Sequence, residues 1–391
     1  MVHELREKFN KKFTVEKYEK MLADIEDTVQ RKLDFRICET PLFIDENFTN
    51  TLIEAGDEIV SAIQTEEFKN SSENAIPKNL VVPNEDEQPM FLQVDFAITK
   101  DENGDFLPQL IELQGFPSLY GFQSFVDEKI KNNFDIPKEL TPYFNGLNQE
   151  SYIELLRNTL VGETDPKHVI LLEIDPYKQK TWIDFHITHK LLGIKPICIS
   201  DVIAKGEKLF YSENGIEIQI KKIYNRVIFD ELESTEIKSG FDFHKAYDVK
   251  WLGHPNWFFK VSKFSLPLIN SKYSPKSYYL DQIDLDTINL TEYVLKPLYS
   301  FAGAGVKIDF TKEDLDKIEN KQNYILQKKV EYVPVIKTPD GLAKAEIRLM
   351  YLWDDKPMLI NNLLRVSKGK MIGVDFNKNK SWVGASLVYH P

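Results

Sequence analysis

The stretch FLQVDFAITKDENGDFLPQLIELQGFPSLYGF, residues 91 to 122, confines this chain more than any other. Two apolar runs flank a polar Asn103-Gly104 pair, a pattern that predicts a β-hairpin. Its arms carry polar side chains within otherwise apolar sequence. Asp95 lies on the first arm, while Glu112 and Gln114 lie two apart on the second and therefore on one strand face. Such oxygens suit a hard divalent cation such as Mg²⁺, which takes carboxylate and amide ligands and completes its shell with water and substrate phosphate. The same alternation also suits side chains turned to solvent, although Glu112 stands between Ile111 and Leu113.

At 391 residues the chain exceeds one typical core, so two or three packed units are expected. Its 42% hydrophobic and 28% charged residues are ordinary globular values. No apolar run approaches the roughly 20 residues of a membrane span, so no membrane partner is expected. The opening MVHELREKFNKKF is charged throughout and has no apolar signal core, which predicts no secretory leader. Cys38 and Cys198 are the only cysteines, too few for a disulfide framework or a cysteine zinc site, and a cytoplasmic location fits. The formal charge of −12 argues against general nucleic-acid binding, which requires clustered Lys and Arg.

The first 70 residues space their apolar side chains three and four apart among charges, predicting amphipathic helices. From about 150 the texture alternates: HVILLEIDP as a buried strand, TWIDFHITHKLLGI as a helix, KPICISD as a strand, then KLFYSENGIEIQIKKIYNRVIF as a hairpin leading to another strand. That order predicts an α/β sheet. The last hundred residues read mostly as strands, with TKEDLDKIENK as a helix opening at a Thr N-cap.

In YVLKPLYSFAGAGVKIDF, residues 293 to 310, a glycine-rich turn separates two apolar arms and suggests a second hairpin. Backbone N–H groups at Gly303, Ala304 and Gly305 would approach phosphate oxygens closely, and Lys296 would add a point charge. An ordinary hairpin tip fits the same residues. No GK[ST] follows the glycines, so this is no Walker A loop, and no helix follows, so it is no dinucleotide fingerprint. YILQKKVEYVPV reads as a strand whose backbone beyond Gln327 would meet an adenine edge. EIRLMYLWDDKPMLINNLLRVSKG places Glu346, Arg348, Asn361, Asn362 and Arg365 on two strands. Two strand arginines would hold a transferring phosphoryl group, or else pair with acids on neighbouring strands. His186 and His189 share a helix face, yet structural zinc needs four ligands. No Gly-x-Ser-x-Gly elbow is present.

Taken in order, these pieces resemble the circularly permuted ATP-grasp family, in particular the glutathionylspermidine synthetase-like amide ligases. The carriers are Asp95 with ELQ at 112 to 114, then HVILLEIDP, KLLGI and IYNRVIFDEL, then SPKSYYLDQI and YVLKPLYSFAGAGV, and finally IRLMYLW and LLRVS. The resemblance implies an α/β (α+β) fold. It divides the chain into a helical cap (1–75), metal-binding strands of the core (76–150), a pre-ATP-grasp-like domain (151–285) and an ATP-binding lid with the remaining core strands (286–391). It also implies an ATP-dependent carboxylate–amine ligase acting through an acyl phosphate. Asp95, Glu112 and Gln114 would hold Mg²⁺, and Lys276, Lys296, Gly303, Ala304, Gly305, Gln327 and Lys328 would hold ATP. Arg365, with Arg348, would stabilise the transferring group. The expected partners are a small-molecule carboxylate and an amine. Phe301 and Ala302 stand where that branch usually carries Arg and Glu, and Gln93 where it has Arg, departures that set the chain apart from that branch's substrate; Gln114 stands where the branch has Asn, and Phe301, Ala302 and Gln114 favour the alternative of a nucleotide-binding protein without turnover.

Overall fold

The computed structural model describes residues 1–299, 305–370, 372, 377 and 379–391. The early hairpin forms as Phe91–Lys100 and Phe106–Gln114, antiparallel, and its turn closes when Asp101 Oδ1 accepts from the N–H groups of Asn103 and Asp105, each at 2.9 Å. Two strands alone would be marginal. The partners come from the far end of the sequence: Gly341–Trp353 pairs antiparallel with Phe91–Lys100, Pro357–Ser367 pairs with Gly341–Trp353, and Gly384–Ser386 closes the edge.

Period-two alternation gives this sheet two unlike faces. On the back, Val94, Phe96, Ile347, Leu349, Leu364 and Val366 belong to one apolar core with Phe48, Leu52, Ala55 and Ile59 of the helix Glu46–Ile63. The Asp45 side chain caps that helix by accepting from Phe48 N at 2.9 Å. Gly56 lets it approach closely, since a Cβ there would lie 2.1 Å from the Tyr351 hydroxyl. At one end of the front face the helix Tyr120–Asn133 packs on the sheet, and the Tyr120 hydroxyl donates to the Tyr351 carbonyl at 2.8 Å.

The middle of the chain forms a four-stranded parallel sheet in the order Lys250–Leu252, Lys222–Asn225, Val169–Glu173, Lys195–Cys198. The helix Trp182–Leu192 joins the last two and ends on Gly193 at φ +78°. The strands Ile203–Lys205, Lys208–Glu213 and Ile216–Ile220 add a small antiparallel meander. The result is a mixed α/β architecture of several sheets.

The expected hairpin over 293 to 310 is corrected. Tyr293–Pro297 is a strand, but its ladder partner is Tyr324–Lys328, which also pairs with Ser277–Tyr279. The segment after the glycines contributes one bridge, Leu295 with Lys307, closed by two N–H···O bonds of 2.9 Å. The two contacts do not compete: Leu295 turns its backbone to Lys307 on one edge of the strand while the ladder with Tyr324–Lys328 runs along the other, and there Ile325 and Leu326 are fully buried, whereas Val306 and Ile308 remain half-buried. The short helix Lys312–Asp316 does open on Thr311, in a capping box with Asp314. Among the described residues, no helix is long and apolar enough to cross a membrane.

Candidate functional site

The front face of the central sheet carries a buried ionic cluster, and strand register assembles it. Arg348 lies opposite Asp95, Asp95 opposite Glu112, and Glu346 opposite Arg365. Directly opposed residues share a face. Arg348 grips Asp95 with both ends of its guanidinium fork, Nε to Oδ1 at 2.6 Å and Nη2 to Oδ2 at 2.8 Å, and its Nη1 donates to Gln93 Oε1 at 2.8 Å. Arg365 Nη2 donates to Asp95 Oδ2 as well, and to Glu346 Oε1 at 3.3 Å. Such charge-assisted, bidentate contacts fix geometry as well as energy.

Burial alone would raise the Asp95 carboxyl, but the charges of Arg348 and Arg365 outweigh it and hold the group below its usual range. Glu346 goes the other way: burial pushes it up to about 7 despite Arg365, with repulsion from Asp95 and Glu112 adding to the rise. Arg348 is buried, but about 30% of the Arg365 side chain remains accessible, and its buried Nε has no hydrogen-bond partner among the described residues.

The small sheet of Tyr293–Pro297, Tyr324–Lys328 and Ser277–Tyr279 docks at the end of the early hairpin. The register of that hairpin slips between Asp95 and Phe96, whose partners are Glu112 and Leu110, so Ile111 is an extra residue. The bulge frees the Ile111 carbonyl from the ladder, and Lys296 Nζ donates to it at 2.9 Å and to Gln327 Oε1 at 2.5 Å. Gln327 Nε2 in turn donates to the Leu110 carbonyl at 3.2 Å. Burial pushes the Lys296 ammonium down to about 8, because its direct acceptors are neutral and Lys263 repels it, although Glu112, Glu346 and Asp95 pull upward.

The other expected ATP contacts are more scattered. Lys276 and Lys328 are exposed; the first lies 5.3 Å from the Tyr278 ring, the second 3.9 Å from Glu292. Gly305 adopts φ +71°, and a Cβ there would meet Pro297 at 2.8 Å. Gly303 and Ala304, with Phe301 and Ala302, lie outside the described residues. Asn362 is structural, bonding the Pro142 and Val388 carbonyls at 2.9 and 3.0 Å. His186 and His189 line a separate surface pocket with Tyr177 and Trp182.

The sequence reading missed Lys263. Its ammonium, 5% exposed, pairs with Glu112 Oε1 at 2.8 Å. The available signal was a lysine inside the aromatic run NWFFKVSKF. Beside this pair lies a small depression lined by Phe116, Phe258, Leu298 and Tyr299 and edged by Gln114.

The residues do not fit a magnesium ion as arranged. Both Asp95 oxygens already accept from guanidinium groups and Glu112 is taken by Lys263. Gln114 lies opposite Gln93 rather than beside Asp95. Among the described residues, no group of three or more His, Cys, Asp or Glu side chains is placed to hold a metal. The nucleotide contacts fit better, since two hydrogen bonds leave one of three Lys296 donors for an anion.

A solved glutathione synthetase-like effector from Globodera pallida, in its apo form, superposes with a TM-score of 0.55 over 91% of this chain and 95% of its own, at 10% sequence identity. No family model matches the chain, and no curated protein matches it.

Proposed function

We propose that the chain is an ATP-dependent carboxylate–amine ligase on a circularly permuted ATP-grasp fold. One observation carries the reading: Lys296, from the small sheet, bonds the carbonyl at the bulge beside Glu112, next to the cluster of Asp95, Glu346, Arg348 and Arg365. A buried cation between neutral acceptors is a natural seat for a phosphate oxygen. In this reading Lys296 and Gln327 hold the nucleotide from within the fold, with Lys276, Lys328 and Gly305 around it. A carboxylate oxygen attacks the γ-phosphorus, the bond to the β-phosphate bridge breaks, and ADP leaves. The amine then attacks the acyl carbon, phosphate departs with the C–O electron pair, and the amine proton passes to solvent. Arg365, whose side chain is partly accessible, neutralises the transferring oxygens. Arg348 orients Arg365 indirectly, by fixing Asp95.

No step is routed through magnesium, because Asp95 is held by two arginines. That occupancy favours a second reading, a nucleotide-binding protein without turnover. A screen of ADP release over amino acids, polyamines and short peptides separates the two. Release that requires both a carboxylate and an amine supports the ligase; ATP binding with no release under any pairing supports the second reading.

A further inference from the structure

The ionic cluster on the front face is balanced for an anion rather than for a metal ion. Among the described residues, four cationic side chains, Arg348, Arg365, Lys263 and Lys296, stand with three carboxylates, Asp95, Glu112 and Glu346. All three carboxylates act on Arg365, and all three act on Lys296. A magnesium site needs the reverse, an excess of carboxylates with oxygens open to the ion. Asp95 has about four acceptor sites, and Arg348 and Arg365 fill three of them. Arg348 has no room to turn aside, since it is buried directly opposite Asp95 and its Nη1 is held by Gln93.

The accessible edge has the same sign. Arg365 and Glu112 reach solvent, at 30% and 22% side-chain exposure, whereas Asp95, Glu346 and Arg348 are closed off. Both carboxylate contacts of Arg365 come from Nη2, which leaves Nη1 to a ligand oxygen. Glu112 is neutralised by the Lys263 ammonium. A divalent ion arriving here meets a guanidinium at the surface and two ammonium groups behind it as repulsion, whereas a polyphosphate meets them as attraction. We infer that this site takes its nucleotide as the free triphosphate anion, with Arg365, Lys263 and Lys296 acting where a divalent ion would, and that Asp95 and Glu112 hold those cations rather than a metal. Resting on the nucleotide-binding part of the reading above, this sets the ionic form of the ligand.

The test is calorimetric titration of the full chain with ATP, once in EDTA and once in excess magnesium, and with manganese alone. ATP is expected to bind in EDTA at least as tightly as with magnesium, and manganese alone is expected not to bind. Arg365→Gln, which leaves Asp95 its bidentate partner Arg348, should weaken binding in EDTA roughly tenfold, the loss of one charge-assisted contact. Glu112→Gln is the sharper variant. It should tighten binding in EDTA by removing a negative charge, whereas at a metal site it removes a ligand and weakens binding. If it fails to fold because Lys263 is left without a counter-ion, the double variant with Lys263→Gln keeps a neutral pair and should still bind ATP without magnesium. ATP binding that needs magnesium, manganese bound by the wild-type chain, weaker binding in Glu112→Gln, or no ATP binding in either medium overturns the inference. Binding in EDTA with no ADP release under any pairing removes the ligase reading and leaves the inference, while ADP release that stops in EDTA removes the inference and leaves the ligase.

Discussion

Two buried lysines, Lys260 and Lys296, solve the same problem in opposite ways. Both ammonium groups sit almost entirely inside the protein, at 4% and 8% residue exposure. Lys260 is met by two carboxylates, Glu73 and Glu85, and also lies 5.1 Å from the Trp257 ring. Among the described residues, Lys296 hydrogen-bonds a carbonyl and an amide oxygen. The first arrangement is electrically complete and fastens the segment before the early hairpin to the helix Asn256–Lys260. The second leaves a charge whose desolvation is not repaid by a direct counter-ion, a state that a folded protein tolerates where a ligand will supply the missing anion. The difference separates a structural staple from a candidate site without any reference to sequence motif.

The largest expected effect tests the acid side of the contrast. Arg348→Met removes the bidentate partner of buried Asp95 and should cost about 3–5 kcal/mol of unfolding free energy in a urea titration. A loss below about 1 kcal/mol would mean that Arg365 alone suffices for Asp95. Next, Lys296→Met should lower ADP release on the order of 100-fold, by analogy with removal of one transition-state donor, yet leave stability near wild type, because the two acceptors it strands are offset by relief of the ammonium's desolvation. Turnover that survives the substitution would remove Lys296 from the proposed chemistry. Lys260→Met should do the reverse, costing roughly 1–3 kcal/mol of stability while leaving ADP release near wild type. Loss of turnover without loss of stability in that variant would break the contrast.

The smallest effects are in pH. Burial pushes the Lys296 ammonium down to about 8 in the folded chain from its ordinary 10.5. Between those values the unfolded chain binds more protons, so stability should rise as pH climbs through that window, and Lys296→Met should flatten the slope. An anion seated on Lys296 raises its pKa, so nucleotide binding near pH 8.5 should take up a fraction of a proton, read as a buffer-dependent heat. Glu346 has the opposite sign: raised to about 7 from 4.5, it binds more protons folded than unfolded. Its contribution is present below about 4.5 and is lost as pH rises to 7, and Glu346→Gln should remove that dependence.

Much of the local structure was legible. The Asn103-Gly104 hairpin, the strand at Val169–Glu173 with its following helix, and the Thr311 cap all follow from short-range rules of turn chemistry, periodicity and capping. Polar residues inside apolar strands marked Asp95 and Glu112 as unusual before any pairing was visible. What they touch was not legible. Asp95 meets Arg348 across 253 positions of sequence, and the choice between solvent, metal and arginine is made by whichever strand arrives as neighbour. The reading of 293 to 310 was incomplete for the same reason: among the described residues its arms meet in one bridge, Leu295 with Lys307, and the longer ladder on the strand's other edge comes from the later segment Tyr324–Lys328.

The sequence by itself determined which segments become strands and helices, and that charged side chains would be forced onto a sheet face, because those outcomes depend on spacing within a few residues. Only the tertiary structure decided that Asp95 would be held by two guanidinium groups, that a bulge at Ile111 would offer its carbonyl to Lys296, and that Lys263 would meet Glu112 beside a small aromatic-lined depression. Strand order and register set those contacts, and they are fixed by the burial of whole faces, a sum over the chain that no local pattern contains.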